Sequence, residues 1–180
     1  MRHKGAAVAA VLACGLVGTA QDAPDGKFVS KEGGFVARFP PGADVTTKTV
    51  PAPGGLKAVI TTAVVKAKQQ TYMVTYTVHQ KGVLKAPARA ILELGEKATL
   101  VQPMTIRLDA RDLAVGKEKY PARDILTERD GHQTRTRFIA ADPVLYTLVV
   151  GGPKEFASSK DATDFLDTFE IVPPGKAKAK

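Results

Sequence analysis

Alternating side-chain character over residues 71–79 constrains the fold of this chain more than any other feature. Every second residue is large and apolar, namely Tyr72, Val74, Tyr76 and Val78. Successive side chains of a β-strand point to opposite faces of the sheet, so the pattern predicts a strand with these four residues on the core. The preceding segment 56–66 is also rich in valine and threonine, and the two segments together predict a long β-hairpin.

A second hairpin is indicated by the sequence Arg-Asp-Gly-His at 129–132. An Asp-Gly pair favours a two-residue turn of type I′, because both central residues of that turn need a positive φ. If the first and last residues of this segment lie opposite each other, Asp124 lies opposite Arg137. The same register places Leu126 opposite Arg135.

Two helices are predicted from apolar positions at helical spacing. The first begins at Pro87, a residue that suits the first turn of a helix. The second begins at Ser158, because a serine followed by Asp161 forms a capping pattern. The apolar faces comprise Ala88, Ile91, Leu92 and Gly95 in the first helix, and Ala162, Phe165, Leu166 and Phe169 in the second.

Further strands are predicted at 28–30, 35–39, 44–50, 105–115, 121–128, 133–140 and 145–150, with a short strand at 170–172. The segment 145–150 is apolar on both faces, which favours a central position in the sheet. The predicted fold class is α+β, with a mostly antiparallel sheet of about seven to nine strands packed with two helices. Residues 28–172 form this single domain.

The first 20 residues have the three parts of a secretory signal peptide. A basic start precedes an uncharged apolar run, and small residues lead to predicted cleavage after Ala20. Residues 21–27 are then predicted to form a mobile leader, and the lysine-rich segment 173–180 is predicted to be a disordered tail. Cys14 leaves a second possibility open, because Val-Leu-Ala-Cys at 11–14 is similar to a bacterial lipoprotein box in which the cysteine is acylated.

Charge and cysteine content exclude several classes of function. The net charge is +8, but much of the excess lies in the signal and the tail, and export argues against nucleic acid as a partner. Cys14 is the only cysteine, so cleavage after Ala20 leaves none for disulfides or thiolate metal sites. No later segment is apolar enough to predict a transmembrane span in the mature chain.

The residues that could carry catalysis have structural explanations. His132 lies in the hairpin turn, and His79 ends a strand without acidic residues at metal-ligand spacing. Ser158 is explained by capping and lacks the Gly-x-Ser-x-Gly context of a hydrolase nucleophile. We therefore predict no catalytic residue, no cofactor site and no metal site.

The arginines are the feature with most potential for binding. Six lie on or beside three consecutive predicted strands, namely Arg107, Arg111, Arg123, Arg129, Arg135 and Arg137. Arg135 and Arg137 point the same way and are the candidate anion-binding residues, because neighbouring guanidinium groups bind phosphate or carboxylate. The favoured alternative is a solvated sheet face with charges balanced by Asp109, Asp112, Asp124 and Glu128.

The order of elements resembles the PsbP-like α/β fold. The resemblance rests on Phe-Val-Ala-Arg-Phe-Pro-Pro-Gly at 35–42, the long hairpin, the central helix and the segment 158–172. That group includes lumenal photosystem accessory proteins, and the chain is similar in particular to small exported proteins of unassigned function from planctomycete-type bacteria. Both matching motifs are structural, so the resemblance implies no functional residue. It implies accessory or binding roles.

The expected function is therefore an exported, non-enzymatic accessory or binding domain in the periplasm or outside the cell. Its partner would be a cell-envelope protein or a small ligand. Two alternatives stay open, namely the same domain anchored as a lipoprotein and, less favoured, an envelope hydrolase.

Overall fold

The computed structural model describes residues 26–52, 56–65, 69–78 and 87–172. The predictions for the signal, Cys14, Ala20, His79 and the tail fall outside these ranges. The elements in chain order are β1 (Lys27–Ser30), β2 (Phe35–Arg38), β3 (Asp44–Ala52), β4 (Leu56–Val65), β5 (Gln70–Val78), α1 (Ala88–Leu100), β6 (Ile106–Val115), β7 (Tyr120–Arg129), β8 (His132–Ala141), β9 (Val144–Pro153), a 3-10 helix (Phe156–Ser158), α2 (Lys160–Asp167) and β10 (Glu170–Ile171).

The strands form two antiparallel sheets. The main sheet has seven strands in the order β3-β4-β5-β9-β8-β7-β6, and the smaller sheet has the order β1-β2-β10. The α+β class with a large antiparallel sheet and two α-helices is confirmed, and β9 occupies the predicted central position. The first two strands and the last strand of the described residues form the smaller sheet, because β10 pairs with β2 and places Ile171 opposite Phe35.

Both predicted hairpins are present. In the second hairpin, Asp124 lies opposite Arg137 and Leu126 lies opposite Arg135. The turn between these strands has φ values of 51° at Asp130 and 75° at Gly131, as an Asp-Gly turn of type I′ requires. The turn chemistry therefore determined which side chains meet across β7 and β8.

The principal core is aromatic and lies on one face of the main sheet. Its rings are Phe28, Phe35, Phe39, Tyr72, Tyr76, Tyr146, Phe156, Phe165 and Phe169. Of the four residues predicted on the core face of β5, three are buried, whereas Val78 is 41% exposed. That part of the prediction is wrong, because Val78 is the last residue of its strand.

Burial changes the chemistry of three tyrosines in this core. It raises the pKa of Tyr72, Tyr76 and Tyr146 to about 12 each. The hydroxyl of Tyr146 donates a hydrogen bond of 2.7 Å to the carbonyl oxygen of Gly33. This bond ties the turn between β1 and β2 to the centre of the main sheet.

The N-cap of helix α2 lies one residue later than predicted. Its N-cap is Ser159, whose Oγ accepts a hydrogen bond of 3.3 Å from the backbone N–H of Ala162. Ser158 belongs to the preceding 3-10 helix, so the predicted capping role of Ser158 is wrong. Phe169 follows the helix, yet its ring still packs 5.4 Å from that of Phe35.

Helix α1 lies on the opposite face of the main sheet from α2. Leu92 packs against Ile125 and Phe138, whose side chains alternate with those that face α2. A Cβ atom at Gly95 would lie 3.0 Å from atoms of the Phe138 ring, so the glycine permits the close approach of helix and sheet. Within the described residues, no helix is long and apolar enough to cross a membrane.

Candidate functional site

The centre of the candidate site is a buried pair of opposite charges. Asp124 on β7 and Arg137 on β8 face α2, and their side chains are only 3% and 4% exposed. The Arg137 Nε donates to Asp124 Oδ1 at 2.8 Å, and Nη2 donates to Oδ2 at 3.1 Å. This bidentate geometry is the strongest that an arginine and a carboxylate can form.

Arg137 also connects the sheet to helix α2. Its Nη1 donates to the Leu166 carbonyl oxygen at 2.8 Å, and its Nη2 donates to Asp167 Oδ1 at 3.0 Å. The guanidinium therefore satisfies a carbonyl at the helix end while it neutralises Asp124. Burial alone would lower the pKa of Arg137, but these two aspartates raise it above its usual value.

Two further arginines contact the same carboxylate. Asp124 Oδ2 accepts hydrogen bonds from Nη2 of Arg135 at 3.0 Å and from Nη2 of Arg111 at 3.3 Å. Burial tends to raise the pKa of Asp124, but the hydrogen bond and charge of Arg137, together with the other two arginines, hold it below its usual value. Asp124 is therefore a carboxylate at neutral pH, with both oxygen atoms occupied.

The favoured sequence interpretation, a solvated sheet face, is wrong at these positions. Asp124 and Arg137 are buried, because α2 covers this part of β8. The predicted anion site of Arg135 and Arg137 stays a prediction, and the structure gives its two members different surroundings. Arg137 is committed to Asp124 and α2, whereas Arg135 lines a pocket.

This arginine pocket has a volume of about 100 Å³ and is lined by Asp109, Asp124, Leu126, Arg135 and Ser158. The Arg135 side chain is 15% exposed, and among the described residues its guanidinium donates only to Asp124. Its other N–H donors are available to a ligand. Ser158 reaches the pocket from the 3-10 helix, so it has a place in the site although it is not the cap.

The sequence alone indicates only a charge-balancing role for Asp109. In the structure it lies on β6 opposite Leu126, which lies opposite Arg135 on β8. The strand registers therefore bring Asp109 and Arg135 to the same face, two strands apart. The alternation of side chains along β6 is the sequence signal for the face on which Asp109 lies. A register shift between Arg107 and Asp109 interrupts that alternation, so the sequence does not show which face the first residues of β6 occupy.

Arg107 and Arg123 form a second cluster, on the α1 face, whereas Arg129 lies apart from both clusters and contacts Gln102 and Asp130. Glu96 accepts 2.6 Å hydrogen bonds from Arg107 Nη1 and Arg123 Nε, and Arg123 also contacts Asp112 Oδ1 at 2.6 Å. Burial tends to raise the pKa of Glu96, but the two arginines lower it overall. This cluster fastens α1 to the edge of the sheet and has a structural role.

His132 lies in the exposed hairpin turn, where its Nδ1 is 3.3 Å from the carbonyl oxygen of Asp130. In the described part of the chain, no group of three or more histidine, cysteine, aspartate or glutamate residues could hold a metal ion.

The fold and the pocket define a small α+β domain that carries helices on both faces of an antiparallel sheet and a charged pocket near one edge. This is the PsbP-like fold. The chain is similar to the solution structure of cyanobacterial PsbP (CyanoP) from Synechocystis sp. PCC 6803, with a TM-score of 0.55 and 11% sequence identity. The likeness covers 89% of this chain and 98% of that chain, and at this identity it shows the fold alone.

A crystal structure of a protein of unknown function from Pseudomonas aeruginosa, PA94, is more distantly similar. It has a TM-score of 0.39 and 14% identity, over 68% of this chain and 80% of that chain. No protein-family model and no curated protein matches the sequence. The predicted PsbP-like fold is confirmed, and the planctomycete-type origin stays a prediction.

Proposed function

We propose that this chain is an exported, non-enzymatic domain that binds a small charged ligand in the arginine pocket. Accessory and binding roles agree with what the resemblance to PsbP-like proteins implies, and the segment 1–20 supports export. The observation that carries the binding role is the state of Arg135. Its side chain is largely buried, and the only hydrogen bond that its guanidinium forms with a described residue is the one to Asp124.

A partly buried guanidinium with donors that no described residue uses favours an acceptor from outside the chain, because unsatisfied polar groups are costly in a partly desolvated site. Such an acceptor can be a carboxylate or phosphate oxygen, which guanidinium groups bind in a bidentate manner. Ser158, an exposed residue, also lines the pocket, and its hydroxyl can act as an additional donor.

The chemistry of the pocket supports binding over catalysis. A serine nucleophile needs a neighbouring base, and the carboxylates that line this pocket are Asp109 and Asp124. Asp124 is a weak base because its arginine partners hold its pKa below the usual value. Asp109 is exposed to solvent, and the one hydrogen bond that its carboxylate forms among the described residues is with the N–H of Ala110 rather than with Ser158.

The binding role is tested by nuclear magnetic resonance titration of the chain from Gln21 with acetate, phosphate, methylammonium and glycine. We expect saturable shifts of backbone amides around the pocket for at least one compound, their loss in Arg135→Ala, and chemically unchanged compounds afterwards. Arg89→Ala is the matched control, because this exposed arginine pairs with Glu93 on α1. Absence of saturable shifts for all four compounds would overturn the binding role, and conversion of any compound would reveal an enzyme.

Export is tested by N-terminal sequencing of the protein from its native host. We expect the mature chain to begin at Gln21, since small residues precede that position. A mature chain that begins at an acylated Cys14 would instead establish the lipoprotein alternative.

A further inference from the structure

We infer that the arginine pocket binds a small zwitterion whose carboxylate and ammonium groups are close together, as in an α-amino acid. The inference rests on the proposed binding function and specifies the chemistry of its ligand. It follows from the presence of two opposite charges in the pocket, each with bonding capacity that the described residues leave unused.

The positive charge is that of Arg135. Its contact with Asp124 uses Nη2, so the remaining donors of the planar group can approach a ligand carboxylate. Ser158 lines the same pocket, and its hydroxyl can donate to that carboxylate as well. Together they form the end of the site that binds the ligand carboxylate.

The negative charge is that of Asp109. Its Oδ1 accepts a 2.8 Å hydrogen bond from the N–H of Ala110, and within the described ranges no lysine or arginine forms an ion pair with it. Asp124 cannot substitute for it, because three arginines already occupy its oxygen atoms. Asp109 is therefore the acceptor available for a ligand ammonium group.

The balance of charge favours a zwitterion over a simple anion. A phosphate or an acetate beside Arg135 would also lie near the carboxylate of Asp109, which forms no ion pair with a described lysine or arginine, and like charges repel at short range. An ammonium group on the same ligand turns that repulsion into an attraction. The volume of about 100 Å³ suits glycine or alanine, and half-buried Leu126 supplies an apolar wall.

The test compares glycine, acetate and methylammonium in separate titrations of the same chain, at constant ionic strength. We expect glycine to bind at least about tenfold more tightly than either single-charge compound, because only glycine contacts both ends of the site. In Asp109→Asn the affinity for glycine should fall to that for acetate. In Arg135→Ala it should be lost.

Asp112→Asn is the matched control. Asp112 lies on the same strand as Asp109 and is 63% exposed, but it pairs with Arg123 on the other face of the sheet. This variant should bind glycine as the unmodified chain does. An equal loss in Asp112→Asn would overturn the inference, because a general charge effect would then explain the result.

The remaining outcomes separate the inference from the function on which it rests. If acetate binds as tightly as glycine and depends on Arg135, the zwitterion inference is wrong and the binding function stands. If methylammonium alone binds, the site prefers cations and the inference is again wrong. If no compound produces saturable shifts, both the inference and the binding function fail.

Discussion

Replacement of Arg137 by alanine should lower the free energy of unfolding by about 3 kcal/mol at neutral pH. Loss of one partner of a buried ion pair typically costs about 3–5 kcal/mol, because the other charge is left in a poorly solvated site. Here Asp124 would lose two hydrogen bonds, and the Leu166 carbonyl would lose its side-chain donor. Because Arg111 and Arg135 would still contact Asp124, we expect a cost at the lower end of that range.

The assay is urea denaturation of the unmodified chain and Arg137→Ala at neutral pH and again near pH 3. In the native protein the pKa of Asp124 is below its unfolded value of about 3.9. Its contribution to stability is therefore present above that value and is lost as the pH falls through the folded pKa. In the variant, burial is less well compensated, so Asp124 takes up a proton more readily. The stability difference between the two proteins should consequently narrow in acid.

Arg89→Ala is the control for a general loss of positive charge. Its side chain is 83% exposed, so we expect a change within about 0.5 kcal/mol. A cost below about 1 kcal/mol for Arg137→Ala, or a cost of the full size that does not depend on pH, would refute the reasoning. The first result would mean that water replaces the guanidinium, and the second that packing rather than charge explains the loss.

Three further measurements test the core and helix α2. Phe165→Ala should cost about 3–5 kcal/mol in urea denaturation, since the ring is buried, and a cost under about 1 kcal/mol would show that α2 does not dock by this face. Ser159→Ala should lower the free energy of unfolding by about 1 kcal/mol because the N-cap of α2 is lost, whereas Ser158→Ala, the control, should be nearly neutral. A larger loss in Ser158→Ala than in Ser159→Ala would show that Ser158 is the N-cap. The three buried tyrosines should ionise at about 12, so stability should fall as pH rises from about 10 toward 12. Ultraviolet titration checks this, and ionisation of every tyrosine near pH 10 in the folded protein would contradict it.

Local patterns predicted the elements of the main sheet because each pattern has a local physical cause. The Asp-Gly turn specified the register of β7 and β8, and that register placed Asp124 opposite Arg137. Strand partners that are distant in sequence have no such local signal. The separate sheet of β1, β2 and β10 was therefore not predicted, because it depends on how the end of the chain returns to Phe35.

The candidate site was predictable only in part, for a similar reason. The period of β8 showed that Arg135 and Arg137 share a face, but it could not show that α2 covers one of them. Burial of Arg137 depends on Leu166 and Asp167, which lie far along the chain. Sequence reasoning consequently treated two arginines as equivalent, although one is structural and the other faces the pocket.

The two roles are nevertheless connected through Asp124. Arg137 holds this carboxylate in a bidentate contact, and the Oδ2 atom of the same carboxylate holds Nη2 of Arg135. One edge of the Arg135 guanidinium is thereby fixed before a ligand arrives, which reduces the conformational entropy lost on binding. Under the proposed binding function, Arg137 is thus a positioning residue for the pocket although it is committed to α2. Ligand affinity should therefore weaken when Arg137 is lost, even under conditions in which the domain remains folded, because the anchor of Arg135 is then less well fixed.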